Sequence, residues 1–224
     1  MENLFKILKG LKWGFWRRET GDIIVLIMGN SGVGKSSFIN AFDVAGGTSA
    51  TVGHTLQPGT RDIRMYAVRL PDELASEYKA DLESRRIVLV DTPGFDTSAG
   101  NSDTLFKITE WLNKQYTRGA TLGGVVFMCD ISVNRVNKAA RLNVEQFKKM
   151  LGRSNPFQRV VLVTAAWDEV NPEIGAKREE ELCSSFWGEL IAGDAVVKRT
   201  RGLHGSNPSG HVEVLRHILQ SLRT

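Results

Sequence analysis

A glycine-rich segment between an apolar run and a helical segment has the residue types needed to bind phosphate. Its eight residues, Gly29 to Ser36, read GNSGVGKS. Glycines let the backbone curl so that successive N–H groups point at phosphate oxygens, and the helix that follows adds the positive end of its dipole. Lys35 would supply a cation to the β- and γ-phosphates, and the Ser36 hydroxyl would ligate Mg²⁺. The residues of this predicted nucleotide-binding loop are Gly29, Asn30, Ser31, Gly32, Val33, Gly34, Lys35, Ser36 and Ser37.

A second motif, Asp91-Thr92-Pro93-Gly94, directly follows the apolar run Ile87 to Val90. An acidic residue at the carboxyl end of a buried strand can hold Mg²⁺ through water. Gly94 would offer an unhindered backbone N–H to a γ-phosphate. The same four residues could form a simple Pro-Gly turn. Their position after a phosphate loop, a helix and a second strand instead favours a role in binding Mg²⁺ and the γ-phosphate.

Apolar runs of strand length alternate with segments of helical length, which predicts a three-layer α/β fold with a mainly parallel sheet. The predicted strands are 23–28, 87–90, 125–128 and 160–163, with 63–70 as a candidate edge strand. The predicted helices lie near 35–44, 103–117, 137–151, 176–191 and 210–222. The charged stretch 71–86 predicts a solvated connection, and the small, polar residues of 46–61 predict a long functional loop.

The two motifs together resemble the first and third motifs of small TRAFAC-class GTPases, within the septin-like branch of septins, chloroplast-import receptor GTPases and immunity-associated GTPases. The resemblance runs from Gly21 onward. It implies a G domain over 21–224 that binds GTP or GDP with Mg²⁺ and hydrolyses GTP as a switch. A nucleotide-dependent scaffold with little hydrolysis is the alternative, and a P-loop kinase is a more distant one.

The resemblance also implies a threonine, in the loop before the second strand, that meets Mg²⁺ and the γ-phosphate. Thr48, Thr51, Thr55 and Thr60 are available. Thr60 is preferred because it lies immediately before the strand predicted to begin near Asp62. The metal ligands expected from the resemblance are Ser36, Thr60 and Asp91.

The base-reading motif of such GTPases is usually N/T-K-x-D, and here the strand ends in Thr164-Ala165-Ala166-Trp167-Asp168. Asp168 is in position to accept hydrogen bonds from guanine N1 and N2, which adenine cannot supply. Ala165 and Ala166 replace the usual Asn/Thr and Lys. The immunity-associated branch is similar in placing a threonine four residues before the aspartate, which matches Thr164. The resemblance therefore implies that Thr164 and Asp168 both contact the nucleotide. The missing lysine predicts weaker affinity or looser selection of the base.

The catalytic residues implied by the resemblance are Lys35, Thr60, Gly94 and Arg135. In Ras-like proteins a glutamine after the glycine of the third motif positions the attacking water, and Phe95 occupies that place here. Similar GTPases often complete the site by dimerising across the nucleotide face. Arg135 matches an arginine finger of the immunity-associated branch, and such a finger is worth about 10³–10⁵ in rate. The alternatives are that Arg135 is a surface residue at a helix start, or that Arg61 or Arg64 serves instead.

The excess positive charge lies at the amino-terminal end of the chain. The net charge is +4. Residues 1–18 carry five basic side chains and one acidic one, which leaves 24 basic and 24 acidic residues in the remainder. A nucleic-acid binder spreads basic residues over a docking face, so no nucleic-acid partner is expected. Residues 1–20 are predicted to form an amphipathic helix, whose apolar stripe is Leu4, Ile7, Leu8, Leu11 and Phe15. This helix would engage a membrane surface or an acidic partner, or dock on its own domain.

Composition places the 224-residue chain among ordinary globular proteins, with 42% hydrophobic and 24% charged residues. Cys129 and Cys183 are its only cysteines, and they are far apart in the sequence. They predict ordinary thiols in a reducing compartment, hence a cytoplasmic protein, peripheral on a membrane if the amino-terminal helix binds one. The apolar stretches are shorter than the ~18 residues of a membrane span.

Overall fold

A computed structural model describes residues 21–47, 49–50, 62–95, 101–133, 157–201 and 209–223. Within these ranges seven strands form one sheet in the order β2-β3-β4-β1-β5-β6-β7. The strands are β1 (Ile23–Gly29), β2 (Asp43–Val44), β3 (Arg64–Arg69), β4 (Ile87–Asp91), β5 (Thr121–Asp130), β6 (Val160–Ala165) and β7 (Val196–Arg199). The helices are α1 (Lys35–Asn40), α2 (Asp72–Glu77), α3 (Lys79–Leu82), α4 (Asn101–Tyr116), α5 (Pro172–Ser185), α6 (Gly188–Ala192) and α7 (Ser209–Ser221).

The sheet is parallel from β4 to β7, with β1 between β4 and β5, and antiparallel at the β2-β3 end. The expectation that 63–70 forms an edge strand is wrong, because β2 pairs with the outer side of β3. A strand of two residues has no alternation that a sequence pattern could reveal. β5 begins four residues before its predicted start, because Gly123 and Gly124 interrupt the apolar run.

The predicted helices are present where the structure describes them, with different bounds. The segment predicted at 176–191 divides into α5 and α6. α5 starts at Pro172 because the Asn171 side chain accepts hydrogen bonds from the backbone N–H groups of Glu173 and Ile174. The helices predicted over 137–151 and 1–20 lie outside the described residues. None of the helices in the described ranges is long and apolar enough to cross a membrane.

The charged segment 71–86, which is predicted to be a solvated connection, contains two short helices, α2 and α3. Leu74, Tyr78 and Leu82 recur at intervals of four residues and are buried against one layer of the core. The outward carboxylates of this segment pair with two arginines of the C-terminal region. Arg216 pairs with Glu73 and Glu77, and Arg223 pairs with Asp81.

Two apolar layers cover the faces of the sheet, as the three-layer prediction requires. Side chains of β1 alternate between them: Ile24, Leu26 and Met28 join the layer that α4 and α5 cover. Ile23, Val25 and Ile27 join the layer that α1, α2 and α7 cover. β1 is therefore buried on both faces, which explains its continuous apolar sequence.

The pairing of β1 with β5 shifts by one residue at Gly123, since Ile24 lies opposite Leu122 and Val25 lies opposite Gly124. A Cβ at Gly123 would lie 2.5 Å from Cγ2 of Ile23, which is only 1% exposed. We expect Gly123→Ala to lower the free energy of unfolding by about 1–3 kcal/mol in a urea titration, because the packed core must shift.

Gly188→Ala is the matched control, because a Cβ there would have its nearest neighbour, the Cys183 carbonyl oxygen, at 3.6 Å. Its position at the start of α6 favours alanine, so the free energy of unfolding should stay the same or rise slightly. Equal losses in the two variants would contradict the close contact at Gly123.

Candidate nucleotide-binding site

The phosphate loop leaves the carboxyl end of β1 through a close contact with β5. A Cβ at Gly29 would lie 2.5 Å from the Met128 carbonyl oxygen, so only glycine fits there. Gly32 and Gly34 have φ of 78° and 92°, in the left-handed region that glycine adopts without strain. These turns bring the loop around the amino end of α1, which begins at Lys35.

Lys35 is 6% exposed, and its ammonium group lies inside the loop. Nζ donates hydrogen bonds to the carbonyl oxygens of Asn30 at 2.7 Å and Gly29 at 3.3 Å. A cation taken out of water is costly unless negative charge or strong acceptors surround it. The oxygens of a bound phosphate supply that charge, so the loop and Lys35 fit a polyphosphate.

Ser36 and Asp91 meet beside the loop. The Ser36 hydroxyl donates to the Asp91 carboxylate at 2.7 Å, and Asp91 is 1% exposed at the end of β4. The next residue, Thr92, donates its hydroxyl to the Ile27 carbonyl oxygen at 2.8 Å, which attaches the second motif to β1. A hydroxyl and a carboxylate are oxygen ligands of the kind Mg²⁺ prefers, so this pair fits the predicted metal site.

Asp168 follows the carboxyl end of β6, which is separated by β5 from the strand that leads to the phosphate loop. It is exposed in a short 3-10 helix, Trp167–Glu169. Thr164 is fully buried below it. The Thr164 hydroxyl donates to a Glu179 carboxylate oxygen at 2.7 Å and accepts from the Trp167 indole N–H at 3.0 Å. Thr164 was predicted to contact the nucleotide, but in this geometry its hydroxyl supports the turn that carries Asp168.

Comparison with known proteins identifies the family. The model of the 50S ribosome-binding GTPase family matches residues 24–165, from the second residue of β1 to the last of β6. This is more than half of the chain. The chain belongs to this family of GTPases. A GTPase was expected from the sequence, and the match gives no support to the P-loop kinase alternative. No curated protein sequence matches the chain.

Solved structures share the fold of this GTPase. One is of the chloroplast translocon components atToc33 and psToc159, for which dimerisation is described as important for GTPase activity. It is 18% identical to this chain with a TM-score of 0.65, and the match covers 99% of this chain and 89% of that one. Another is Toc33 from Arabidopsis thaliana with Mg²⁺ and GMPPNP, also 18% identical, with a TM-score of 0.62, over 99% and 91%. The elongation factor SelB from Methanococcus maripaludis is 14% identical, with a TM-score of 0.52, over 92% of this chain and 35% of that one.

Phe95 follows Gly94 at the position where Ras-like GTPases have glutamine. Its side chain is fully buried in the core layer that α4 and α5 cover, and its ring centroid lies 6.1 Å from that of Phe127. The side chain therefore points into the core of the GTPase. It contributes packing and has no polar atom with which to hold an attacking water.

The start of segment 46–61, which is predicted to be a long functional loop, is held by the end of α1. The Asn40 side chain donates to the Ala50 carbonyl oxygen at 2.8 Å and accepts from the Ala50 N–H at 2.7 Å. Thr60 and Arg61 lie outside the described residues, as does Arg135. Arg64 is the first residue of β3 and pairs opposite Asp91.

Near Asp168, on the side of the site that is predicted to bind the base, two residues were not predicted from the sequence. They are Glu179 on α5 and Arg199 at the end of β7. The Arg199 guanidinium donates to both Glu179 carboxylate oxygens, and these hydrogen bonds raise the pKa of Arg199. Neither residue belongs to a motif, and β7 itself was not predicted. The only signal is the strand-forming pair Val196-Val197, which is too short to recognise without the sheet.

The cysteines of the GTPase have no features of reactive thiols. Burial, together with the neighbouring Asp130 carboxylate, raises the pKa of Cys129 to about 12. Burial also raises the pKa of Cys183. Both thiols are protonated at neutral pH and are poor nucleophiles, because the thiolate is the reactive form.

Ala166 stands where the base-reading motif usually has lysine, and its backbone is left-handed, with φ of 63°. A Cβ disfavours this conformation. We expect Ala166→Gly to raise the free energy of unfolding by about 0.5–1 kcal/mol in a urea titration, because glycine removes that cost.

Ala165→Gly is the control, because Ala165 is buried in β6 and has strand geometry. This variant should lose stability, since it removes a packed methyl group and adds freedom to the unfolded chain. A loss of stability in both variants would contradict strain at Ala166.

Proposed function

We propose that this GTPase is a Mg²⁺-dependent switch of the septin-like branch that a second copy of itself activates for hydrolysis. The observation that carries the proposal is the arrangement at the carboxyl ends of β1 and β4. There, the ammonium group of Lys35 lies inside a glycine loop beside the hydrogen-bonded pair Ser36 and Asp91. This arrangement supplies a cation and oxygen ligands where the β- and γ-phosphates of GTP would lie.

In this proposal different residues bind different parts of the nucleotide. Lys35 and the loop from Gly29 to Ser37 bind the phosphates, and Asp168 accepts from the guanine edge. Ser36, Thr60 and Asp91 would hold Mg²⁺, which neutralises negative charge on the phosphates. Gly94 and Thr60 would meet the γ-phosphate, so that loss of that phosphate releases the loops around them.

The burial of Phe95 supports the proposed role of a second copy. It leaves the position after Gly94 without a group that orients water. The chain leading to Arg135 is held at the nucleotide edge, because Arg178 donates to the carbonyl oxygens of Ile131 and Ser132 at 2.7 and 2.8 Å. Arg135 follows Ser132 by three residues in the sequence, which supports it as the candidate finger. The description of dimerisation as important for the translocon GTPases supports the same arrangement.

A scaffold that retains GTP and hydrolyses it slowly is the second candidate, and the burial of Phe95 favours it too. The two candidates differ in one property. A switch completed by its partner turns over faster when the partner is present, whereas a scaffold dimerises with no gain in rate.

We also propose that residues 1–18 hold the protein on an anionic membrane surface in the cytoplasm. Their basic residues and apolar stripe support this, and so does the point where they join the sheet. Gly21 lies against Gly119 at the amino ends of β1 and β5, where a Cβ would be 2.1 Å from the Gly119 carbonyl oxygen. The phosphate loop follows the carboxyl end of β1, whereas Gly21 precedes its amino end.

We expect GTP turnover per molecule, measured with Mg²⁺ present, to rise with protein concentration. Arg135→Ala should remove most of that rise, because an arginine finger is worth about 10³–10⁵ in rate. Arg118→Ala is the control, since Arg118 is exposed on the turn before β5, at the opposite edge of the sheet. A flat, slow rate would favour the scaffold, and an unchanged rate in Arg135→Ala would reject Arg135 as the finger.

We expect the full chain to sediment with phosphatidylserine-containing vesicles, and deletion of residues 2–18 to abolish this. Vesicles of phosphatidylcholine alone are the control, because they lack the anionic surface that attracts lysine and arginine. Sedimentation that the deletion leaves unchanged would reject the membrane proposal. Binding of the full chain to neither vesicle would leave an acidic protein or the chain's own domain as the target of this segment.

A further inference from the structure

We propose that Arg199 is a positioning residue for base selection, acting through a four-residue network that holds the turn carrying Asp168. The network, here called the tryptophan clamp, consists of Thr164, Trp167, Glu179 and Arg199. The inference rests on the proposed function, since it concerns how the same site recognises guanine.

The inner part of the clamp is a chain of hydrogen bonds through Thr164. Its hydroxyl, at the end of β6, receives the Trp167 indole N–H at 3.0 Å and donates to Glu179 at 2.7 Å. Thr164 is fully buried, and the Glu179 side chain is 13% exposed. Polar groups so shielded from water depend on their partners, so the three side chains hold one another in a single arrangement.

Arg199 contacts both Glu179 and Trp167 from the solvent side of the clamp. The edge of its guanidinium group donates to both carboxylate oxygens of Glu179. The same group lies over the Trp167 ring, with its central carbon 4.0 Å from the ring centroid. A planar fork that binds a carboxylate and stacks on an aromatic ring sets the orientation of both.

The indole ring has little room to move on its other sides. A Cβ at Gly175 would lie 2.9 Å from Cζ3 of Trp167, so the ring packs directly against the backbone of α5. Trp167 is 7% exposed and belongs to the core layer on that face. A residue fixed by α5, β6 and β7 together fixes the turn on either side of it.

Asp168 is the next residue after Trp167 and is exposed, and Ala166 on the other side has left-handed backbone. Reading guanine requires the Asp168 carboxylate to face both N1–H and the 2-amino group at hydrogen-bond distance. A misplacement of about 1 Å is enough to lose much of such an interaction. The clamp therefore controls selection of the base without touching it.

A purely stabilising role for the ion pair is a different claim. The Arg199 side chain is 49% exposed, and ion pairs so open to solvent contribute little to stability. If the pair mattered only for stability, its loss would weaken the binding of all nucleotides equally. A positioning role affects the nucleotides unequally, according to which hydrogen bonds they offer to Asp168.

The test compares the dissociation constants of GDP and IDP for the full chain by calorimetry with Mg²⁺ present. IDP lacks the 2-amino group, so the ratio of the two constants measures how well Asp168 reads that group. We expect Arg199→Met to reduce the preference for GDP by about tenfold, and Arg199→Lys to retain part of it. Arg86→Met is the matched control, because Arg86 forms a similar two-pronged pair with Asp22, at 2.8 Å for each bond, at the opposite edge of the sheet.

An unchanged preference for GDP in Arg199→Met would overturn the inference, and so would a parallel loss of affinity for GDP and IDP. A wild-type chain that binds GDP and IDP equally would also overturn it, because Asp168 would then not read the 2-amino group. A wild-type chain that binds neither nucleotide would instead overturn the proposed function itself. A loss of preference in Arg86→Met as large as in Arg199→Met would assign the effect to general stability and reject the positioning role.

Discussion

The candidate site depends on β1 lying between β4 and β5 in a parallel sheet. Parallel strands bring their carboxyl ends to one edge, so the loops after them meet although they are far apart in the sequence. Ile27 pairs with Asp91 on one side, and Gly29 pairs with Met128 on the other. The first pairing brings the Asp91 carboxylate to the Ser36 hydroxyl. The second forces the chain to turn at a glycine and begin the phosphate loop.

The phosphate-binding and base-binding sides of the candidate site are held in place in different ways. On the phosphate side, Lys35 is held by carbonyl groups five and six residues before it, so a short stretch of sequence contains most of the geometry. On the base side, the clamp joins β6, α5 and β7, and its members Thr164 and Arg199 are 35 residues apart. Substitutions in distant elements can therefore alter the base side while the phosphate loop stays intact.

This difference explains how far the sequence could predict the structure. The phosphate loop and the Asp91 motif could be recognised because their chemistry is local and their spacing is characteristic. The buried strands could be recognised from continuous apolar runs. β2 and β7 could not, because two and four residues carry no periodic signal. α2 and α3 could not be recognised because of their many charged residues, some of which pair with Arg216 of α7 and with Arg223 after it, although Leu74, Tyr78 and Leu82 repeat at helical spacing.

The role of Thr164 could not be derived from the sequence, because it depends on which way a buried hydroxyl points. A threonine before the aspartate is equally compatible with touching the nucleotide and with supporting the turn. Only the positions of Glu179 and Trp167 separate these roles, and they direct the hydroxyl inward. The Thr164 hydroxyl joins these two side chains by accepting from one and donating to the other. The same turn can then have alanine at 165 and 166, since its shape is set from below by the clamp, and Asp168 is left to face the solvent.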